Sequence, residues 1–312
     1  MKKFLIILTS LILICLIGGG IFYFVNKKNN EFTYTLNDFL PDGEGKSAKV
    51  ILLGGQSNAS GCSHTEYLEK NVSEEKFAEY EAGYDNVYIN YFSSGQNQSV
   101  GFVKCATNQG EAGGCFGPEL GMAERLNQLY PDETFFIIKW AWGGTDLHTK
   151  WLSPSSKGKT GELYKHFVAY VNASLEYLEK KNYDIKIEGM CWMQGESDSF
   201  SVEDGNLYAE RLTNLIKDLR KEFSDYSDSD GIAFIDATIA DNPVFWVYCD
   251  LVNASKESVA SSSSMHALID TNAEGLICTE EPQPTPDIPH YDSMSEIKLG
   301  HLFIDSLAQF MQ

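Results

Sequence analysis

VILLGGQSN, residues 50–58, joins an apolar run to a glycine pair and then to a serine. The four apolar residues predict a buried strand, and Gly54-Gly55 predicts a tight turn that ends it. Ser57 would then lie at the carboxyl edge of the sheet, where open α/β folds place their chemistry. Serine in such a turn also serves as a helix N-cap, so this segment alone does not separate a cap from a nucleophile.

Four further apolar runs predict strands, and helical patterns separate or follow them. The predicted strands are residues 49–53, 87–92, 134–141, 185–193 and 232–237. The predicted helices are residues 118–129, 162–181, 207–223 and 293–311, and loops are expected at residues 255–265 and 279–289, which are rich in Ser and Pro. This alternation predicts an α/β fold, a three-layer αβα sandwich with a central five-stranded parallel sheet.

An apolar run near the N-terminus predicts a membrane segment. Residues 4–25 contain 22 residues without a charge, with lysines on both sides. About 20 apolar residues span a bilayer, whereas the apolar part of a signal peptide is usually ~7–15 residues long. We therefore expect residues 1–30 to be an uncleaved anchor, residues 31–46 a stalk, and residues 47–312 one extracellular domain. Cleavage of the segment stays open as an alternative.

Charge and cysteine content narrow the class of protein. The chain has 24 Lys and Arg against 44 Asp and Glu, a net charge of −20. This balance argues against nucleic acid as a partner, because such binding needs clustered basic residues. Six cysteines lie beyond the apolar run, and Cys105 with Cys115 is the most plausible local disulfide in an exported domain, whereas Cys191 is expected to be a buried thiol. No cysteine or histidine spacing predicts a metal site.

Two other segments carry residues that could act with Ser57. Asp287 precedes His290 by three residues, so a turn could bring its carboxylate to the imidazole Nδ1 and leave Nε2 free. Gln194 and Glu196 follow a predicted strand at the same edge of the sheet. The amide could donate to an oxyanion, and the carboxylate could lie near the base. Either segment alone could also be an ordinary turn or helix cap.

Together the motifs resemble a known family. GQSN at 55–58, QGESD at 194–198 and D-x-x-H at 287–290 occur in the order typical of SGNH-type carbohydrate esterases, the sialic-acid-specific acetylesterase group that includes acetyl xylan esterases of carbohydrate esterase family six. FGPEL at 116–120 and K-x-A-x-G-G-T at 139–145, with Trp151, also match. The resemblance extends from about residue 50 to the C-terminus and implies a flavodoxin-like SGNH fold.

The resemblance also implies roles for individual residues. Ser57 would be the nucleophile and His290 the base, with Asp287 as the orienting acid and Glu196 in the same catalytic group. The oxyanion hole would use the Ser57 backbone N–H, the Gly117 backbone N–H and the Gln194 side chain. The residues expected to line the substrate site are Gly143, Gly144 and Thr145.

The implied reaction is hydrolysis of O-acetyl esters on carbohydrates through an acyl-enzyme, which requires no metal or organic cofactor. A non-catalytic, cell-surface carbohydrate-binding protein of the same fold is the alternative. A general α/β-hydrolase is disfavoured because Ala59 stands where the Gly-x-Ser-x-Gly elbow has its second glycine. The acetylated sugar is open, and so is the choice between Asp287 and Glu196 as main partner of His290, for which we expect Asp287.

Overall fold

The computed structural model describes residues 32–311, which form a mixed α/β domain. Its strands are β1 (Ser47–Gly55), β2 (Ser63–His64), β3 (Val87–Ser93), β4 (Asn97–Gln98), β5 (Val103–Lys104), β6 (Cys115–Phe116), β7 (Phe135–Ala141), β8 (Asp184–Met193), β9 (Ala233–Ala237) and β10 (His266–Ile269). Its α-helices are α1 (Ser57–Ser60), α2 (Thr65–Asn71), α3 (Glu74–Ala82), α4 (Pro118–Leu129), α5 (Glu162–Lys180), α6 (Val202–Glu222), α7 (Cys249–Ala260) and α8 (Ser293–Leu307).

The main sheet has the strand order β10-β9-β8-β1-β7-β3-β4. The five predicted strands are its parallel centre, β9-β8-β1-β7-β3, which confirms the predicted fold class. β10 adds a sixth parallel strand, and the two-residue strands β4 and β5 pair antiparallel with β3. The sequence did not predict β10 because its four residues lie at the sheet edge and are mostly only half-buried.

Strand register brings three loops to one place. Gly55 at the end of β1 is opposite Ala141 of β7 on one side and Met193 of β8 on the other. Because the three strands are parallel, the segments that follow them leave the same edge of the sheet. These segments begin with Gln56, Trp142 and Gln194.

Helices cover both faces of the sheet. α5, α6 and α7 pack on one face, whereas α4 and α8 pack on the other. α4 and α8 are in backbone contact, since a Cβ on Gly121 would lie 2.1 Å from the carbonyl oxygen of Ile297. Glycine is required at this crossing because any side chain would separate the helices.

α7 corrects one prediction. Residues 255–265 were expected to be a loop, but the helix continues to Ala260. Its buried residues are Cys249, Val252, Lys256 and Val259, a spacing of three and four residues that places them on one helical face. The consecutive serines fall at and after the C-terminal end of the helix, so they obscure its pattern in the sequence.

The first described residues pack on the domain. The Phe32 ring stacks on His166 with centroids 3.5 Å apart, and the Tyr34 hydroxyl is 2.6 Å from His166 Nδ1. Leu40 is buried, and its N–H donates to the Tyr177 hydroxyl. Parts of residues 32–46, the segment that the sequence predicted as a stalk, therefore lie against the domain.

The predicted anchor, residues 1–30, lies outside the described residues. Between residues 32 and 311, no helix has the length and apolar character needed to cross a bilayer.

The six cysteines of the described chain are free thiols. Cys105 is fully buried and its thiol donates to the carbonyl oxygen of Glu119 at 3.3 Å, whereas Cys115 lies in β6 and is partly exposed. The expected Cys105–Cys115 disulfide is therefore not formed, because the Cys105 side chain points into the core. Cys191 is a buried thiol, as predicted.

Candidate active site

Ser57 is the first residue of α1 and follows β1 by a single residue. The turn between them depends on Gly55, whose φ is +141°, and a Cβ there would lie 1.9 Å from the carbonyl oxygen of Met193. Backbone hydrogen bonds join this turn to both neighbouring strand ends. Gln56 N–H donates to Met193 at 2.9 Å, and Trp142 N–H donates to Gly55 at 3.1 Å. The nucleophile candidate is thus held rigidly at the carboxyl edge.

The D-x-x-H segment folds back on itself. His290 Nδ1 is 2.7 Å from Asp287 Oδ2, and the His290 backbone N–H donates to the Asp287 carbonyl at 2.9 Å. The His290 side chain is 23% exposed and the Asp287 side chain is 45% exposed. A short turn thus fixes the imidazole through Nδ1, and Nε2 is left for another partner.

Glu196 lies deeper. Its Oε1 accepts a hydrogen bond from Asn58 Nδ2 at 2.9 Å. Its Oε2 is buried and has no hydrogen-bond partner within residues 32–311. Burial raises the pKa of this carboxyl, although the hydrogen bond from Asn58 and the charges of Lys256 and His290 act in the opposite direction. Asp287 therefore accepts the hydrogen bond from His290 Nδ1–H, whereas Glu196 interacts with the imidazole through its charge.

Asn58 is a functional candidate that the sequence reasoning missed. Its Nδ2 donates to the carbonyl oxygen of Pro289 at 3.3 Å as well as to Glu196, and its Oδ1 accepts from the Tyr291 N–H at 3.2 Å. The residue next to Ser57 is therefore bonded to both chain neighbours of His290. Its place inside the GQSN motif was the available signal, because a carboxamide offers two donors and an acceptor in one group.

The polar atoms of the Gln194 side chain are hydrogen-bonded to protein groups. Its Nε2 donates to Asp198 Oδ2 at 2.7 Å and to the Thr145 carbonyl at 2.9 Å, and lies 3.3 Å from Gln56 Oε1. Its Oε1 accepts from the Tyr208 hydroxyl. The side chain is fully buried, so the amide that was expected to donate to an oxyanion has both hydrogens committed to protein acceptors.

The backbone N–H of Gly117 also has a protein acceptor. It donates to Glu119 Oε1 at 2.8 Å, and Oε2 of the same carboxylate accepts from Lys139 Nζ at 2.7 Å. Both charged side chains are fully buried. Of the three predicted oxyanion donors, all within the described chain, Ser57 alone has an N–H not committed to a protein acceptor, because the first residues of a helix lack an intrahelical one.

The predicted substrate residues divide into two groups. Gly143 and Gly144 lie at the surface; the Gly143 N–H donates to Ser94 Oγ at 2.9 Å, and Gly144 has a φ of +65° with open space beside it. Thr145 is buried, and its hydroxyl donates to the Trp142 carbonyl and accepts from Trp151 Nε1. The two glycines can border a substrate, whereas Thr145 holds their turn in place.

Asp198 is a second residue that the sequence reasoning did not single out. Its carboxylate is fully buried and accepts from the Leu147 N–H and from Gln194. Burial raises its pKa to about 6, although these hydrogen bonds favour the charged form. It links the loop after β7 to the loop after β8.

A group of residues that could ligate a metal ion lies outside the candidate active site. Within residues 32–311, the group whose potential ligand atoms lie within 4.8 Å of one another is Asp241, Cys249 and Asp250. It contains none of the predicted site residues, and both carboxylates are exposed, as is common without an ion.

Comparison with known proteins gives the family. The family model for carbohydrate esterase, sialic acid-specific acetylesterase, matches residues 47–309. No curated protein matches the sequence significantly.

Similar solved structures share the fold. NanS is 14% identical with a TM-score of 0.61, and the match covers 86% of this chain and 98% of that one. A protein from Arabidopsis thaliana is 19% identical with a TM-score of 0.59, over 84% of this chain and 98% of that one. A carbohydrate acetylesterase from Xanthomonas citri is 16% identical with a TM-score of 0.57, over 84% of this chain and 56% of that one. At these identities the structures are similar in fold. The family match over most of the sequence shows that this chain belongs to the sialic acid-specific acetylesterase family and is a carbohydrate O-acetylesterase.

Proposed function

We propose that the chain hydrolyses O-acetyl esters on glycans through a covalent acetyl-enzyme on Ser57. The observation that carries the proposal is the double link of Asn58 to Pro289 and Tyr291. This link ties the residues on both sides of His290 to the turn that bears the serine, while Asp287 Oδ2 lies 2.7 Å from His290 Nδ1. A serine hydroxyl becomes nucleophilic when such a base takes its proton.

The reaction then follows from these positions. Ser57 Oγ attacks the acetyl carbonyl carbon while His290 Nε2 takes the hydroxyl proton. The tetrahedral intermediate collapses, the bond to the sugar oxygen breaks, and His290 returns the proton to that oxygen. Water repeats the attack on the acetyl-enzyme, which releases acetate and restores Ser57. Asp287 keeps the imidazole in the Nδ1–H tautomer and stabilises the imidazolium that forms in each half-reaction.

We propose the Ser57 backbone N–H as the oxyanion donor, since the helix does not use it. Gln194 and Gly117 act differently in this proposal. The Gln194 amide cross-links the turn after β1 to the loops after β7 and β8, and the Gly117 N–H fixes Glu119. Gly143 and Gly144 border the acetylated sugar.

We also propose that residues 1–30 anchor the protein in a membrane with the domain outside the cell. The uncharged run at residues 4–25 supports this proposal. An acetylated glycan at the cell surface would then be within reach of the domain.

A serine-directed organophosphate tests the proposed chemistry. We expect stoichiometric labelling, and peptide mass spectrometry should place the adduct on Ser57. Prior incubation with an acetylated glycan should slow the labelling, because both compounds compete for the same hydroxyl. An adduct on a different serine, or an unlabelled protein that still releases acetate, would refute the proposal.

A further inference from the structure

Glu111 places a carboxylate at the border of the candidate site. It lies in the segment between β5 and β6, and its backbone N–H donates to the Gly61 carbonyl at 2.7 Å. Its Oε2 accepts from the Cys62 thiol at 3.3 Å and would lie 3.1 Å from a Cβ placed on Gly143. The carboxylate is therefore fixed between the segment that follows α1 and the glycine turn after β7, and it is partly exposed.

The surrounding loops are acidic. Residues 94–102, 105–117, 142–161, 194–201, 238–248 and 270–292 leave the carboxyl edge of the sheet or lie against it. They contain eleven Asp and Glu, three Lys and no Arg. A site that binds a carboxylate usually presents arginine, whose two parallel N–H donors match the two oxygens.

Three buried or nearly buried cations near the site are already paired with carboxylates. Lys139 donates to Glu119, and Lys256 is 2.6 Å from Asp236; both lysines are fully buried. Arg211 donates to Asp204 at 2.7 Å and is 10% exposed. None of the three side chains is available to a carboxylate on a bound sugar.

We infer that Glu111 makes this site select uncharged acetylated glycans and disfavour glycans whose acetylated sugar carries a carboxylate. The inference rests on the proposed function, with Gly143 and Gly144 at the substrate. An anionic sugar would approach Glu111 within the Debye length of ~8 Å at physiological salt, where repulsion is only partly screened. At low salt the expected discrimination is about tenfold in kcat/KM, which corresponds to about 1.4 kcal/mol, the size of the repulsion between two like charges ~8 Å apart near a protein surface.

A matched pair of substrates tests the charge effect alone. The methyl glycoside of 9-O-acetylated N-acetylneuraminic acid is compared with its C1 carboxamide, which has the same shape and no charge. Acetate release is measured for both at low and at high NaCl. We expect kcat/KM for the amide to exceed that for the carboxylate by about tenfold at low salt, and the gap to narrow at high salt.

Glu111→Gln tests the residue, since Gln keeps an acceptor for the Cys62 thiol and removes the charge. The ratio of the two kcat/KM values should fall to about threefold or less, while Asp132→Asn, an exposed acid before β7 at the opposite edge, should leave the ratio unchanged. If the wild-type enzyme releases acetate from the carboxylate substrate as fast as from the carboxamide substrate, the inference is overturned, even if the variant does not fold. A Glu111→Gln ratio equal to that of wild type also overturns it.

Failure of the proposed function gives a different result. In that case neither substrate, nor an acetylated xylo-oligosaccharide, releases acetate, and Ser57 is not labelled by the organophosphate.

Discussion

Asn58 can position the proposed base, His290, without a direct contact between the two side chains. Its carboxamide bonds to Glu196 and to the residues on both sides of His290. Asn58→Ala removes these bonds, so His290 should drift relative to Ser57. We expect kcat to fall by about 10², the cost of a misplacement near 1 Å, with KM nearly unchanged.

The measurement is steady-state acetate release together with the rate of organophosphate labelling, which reports how well the base activates Ser57. Asn86→Ala is the control, because the Asn86 side chain likewise donates two hydrogen bonds, in this case to the carbonyls of Tyr130 and Glu133 near the start of β7. Equal losses in both variants, or a change in KM alone, would mean that Asn58 does not position the base.

The carboxylates of Asp287 and Glu196 have different hydrogen-bond partners, so their proposed roles can be told apart. Asp287→Asn removes the negative charge and can present an amide N–H to Nδ1, which imposes the wrong tautomer; it should lower kcat by roughly 10⁴, the cost known for the serine protease triad. Glu196→Gln keeps an oxygen for Asn58 and should cost about tenfold or less. The kcat values of the two variants decide between them. A full loss in Glu196→Gln beside a mild defect in Asp287→Asn would reverse the two roles.

At the scale of elements, Glu124 joins three helices. From α4 it accepts hydrogen bonds from Lys76 and Tyr80 of α3, and it contacts His301 Nε2 of α8 at 2.9 Å. Burial alone would raise its pKa, but the hydrogen bonds from His301, Tyr80 and Lys76 outweigh burial and lower the pKa from 4.5 to about 2. The charged carboxylate thus stabilises the contact of α4 with its neighbours.

The pH dependence follows from this lowered pKa. A carboxyl whose pKa is lower in the folded state stabilises the protein fully above its unfolded pKa, near 4.5, and that stability is lost as pH falls towards 2. At pH 6, Glu124→Gln should therefore lower the free energy of unfolding by at most about 3 kcal/mol. The deficit should shrink steadily below pH 4.5 in urea titrations. A deficit of constant size down to pH 2.5 would contradict the account.

The elements show what the sequence can and cannot predict. The central strands have long apolar runs, and α4 begins with Pro and ends as predicted at Leu129, so both were found. β10 and the whole of α7 were missed because short or serine-rich elements carry little pattern.

The sequence predicted the residue types and order of the candidate site, since Ser57, Asp287 and His290 lie in local motifs, and the structure shows the contact of His290 with Asp287. The sequence did not predict the hydrogen-bond partners of Gln194 and Gly117. They depend on which loops meet at the carboxyl edge, and residue type alone leaves that open.

At the scale of the whole molecule, the proposed anchor would set where the enzyme works. Residues 4–25 are uncharged, and residues 32–46 already pack on the domain. We expect the full-length protein to sediment with membranes and the domain to be digested by protease added to intact cells. A cytoplasmic protein should survive the same treatment as a control. Recovery of a soluble form that begins near residue 26 would show cleavage instead.

Acetate release by Ser57→Ala tests the central claim most directly. The residue is buried at the start of α1 and its hydroxyl has no structural bond in the described chain, so the variant should fold with the melting temperature of wild type. Its kcat on an acetylated glycan should fall by at least about 10³, because the acyl acceptor is gone. Ser73→Ala, at the start of α3, is the control and should keep wild-type activity. A folded Ser57→Ala enzyme with wild-type kcat would contradict the account.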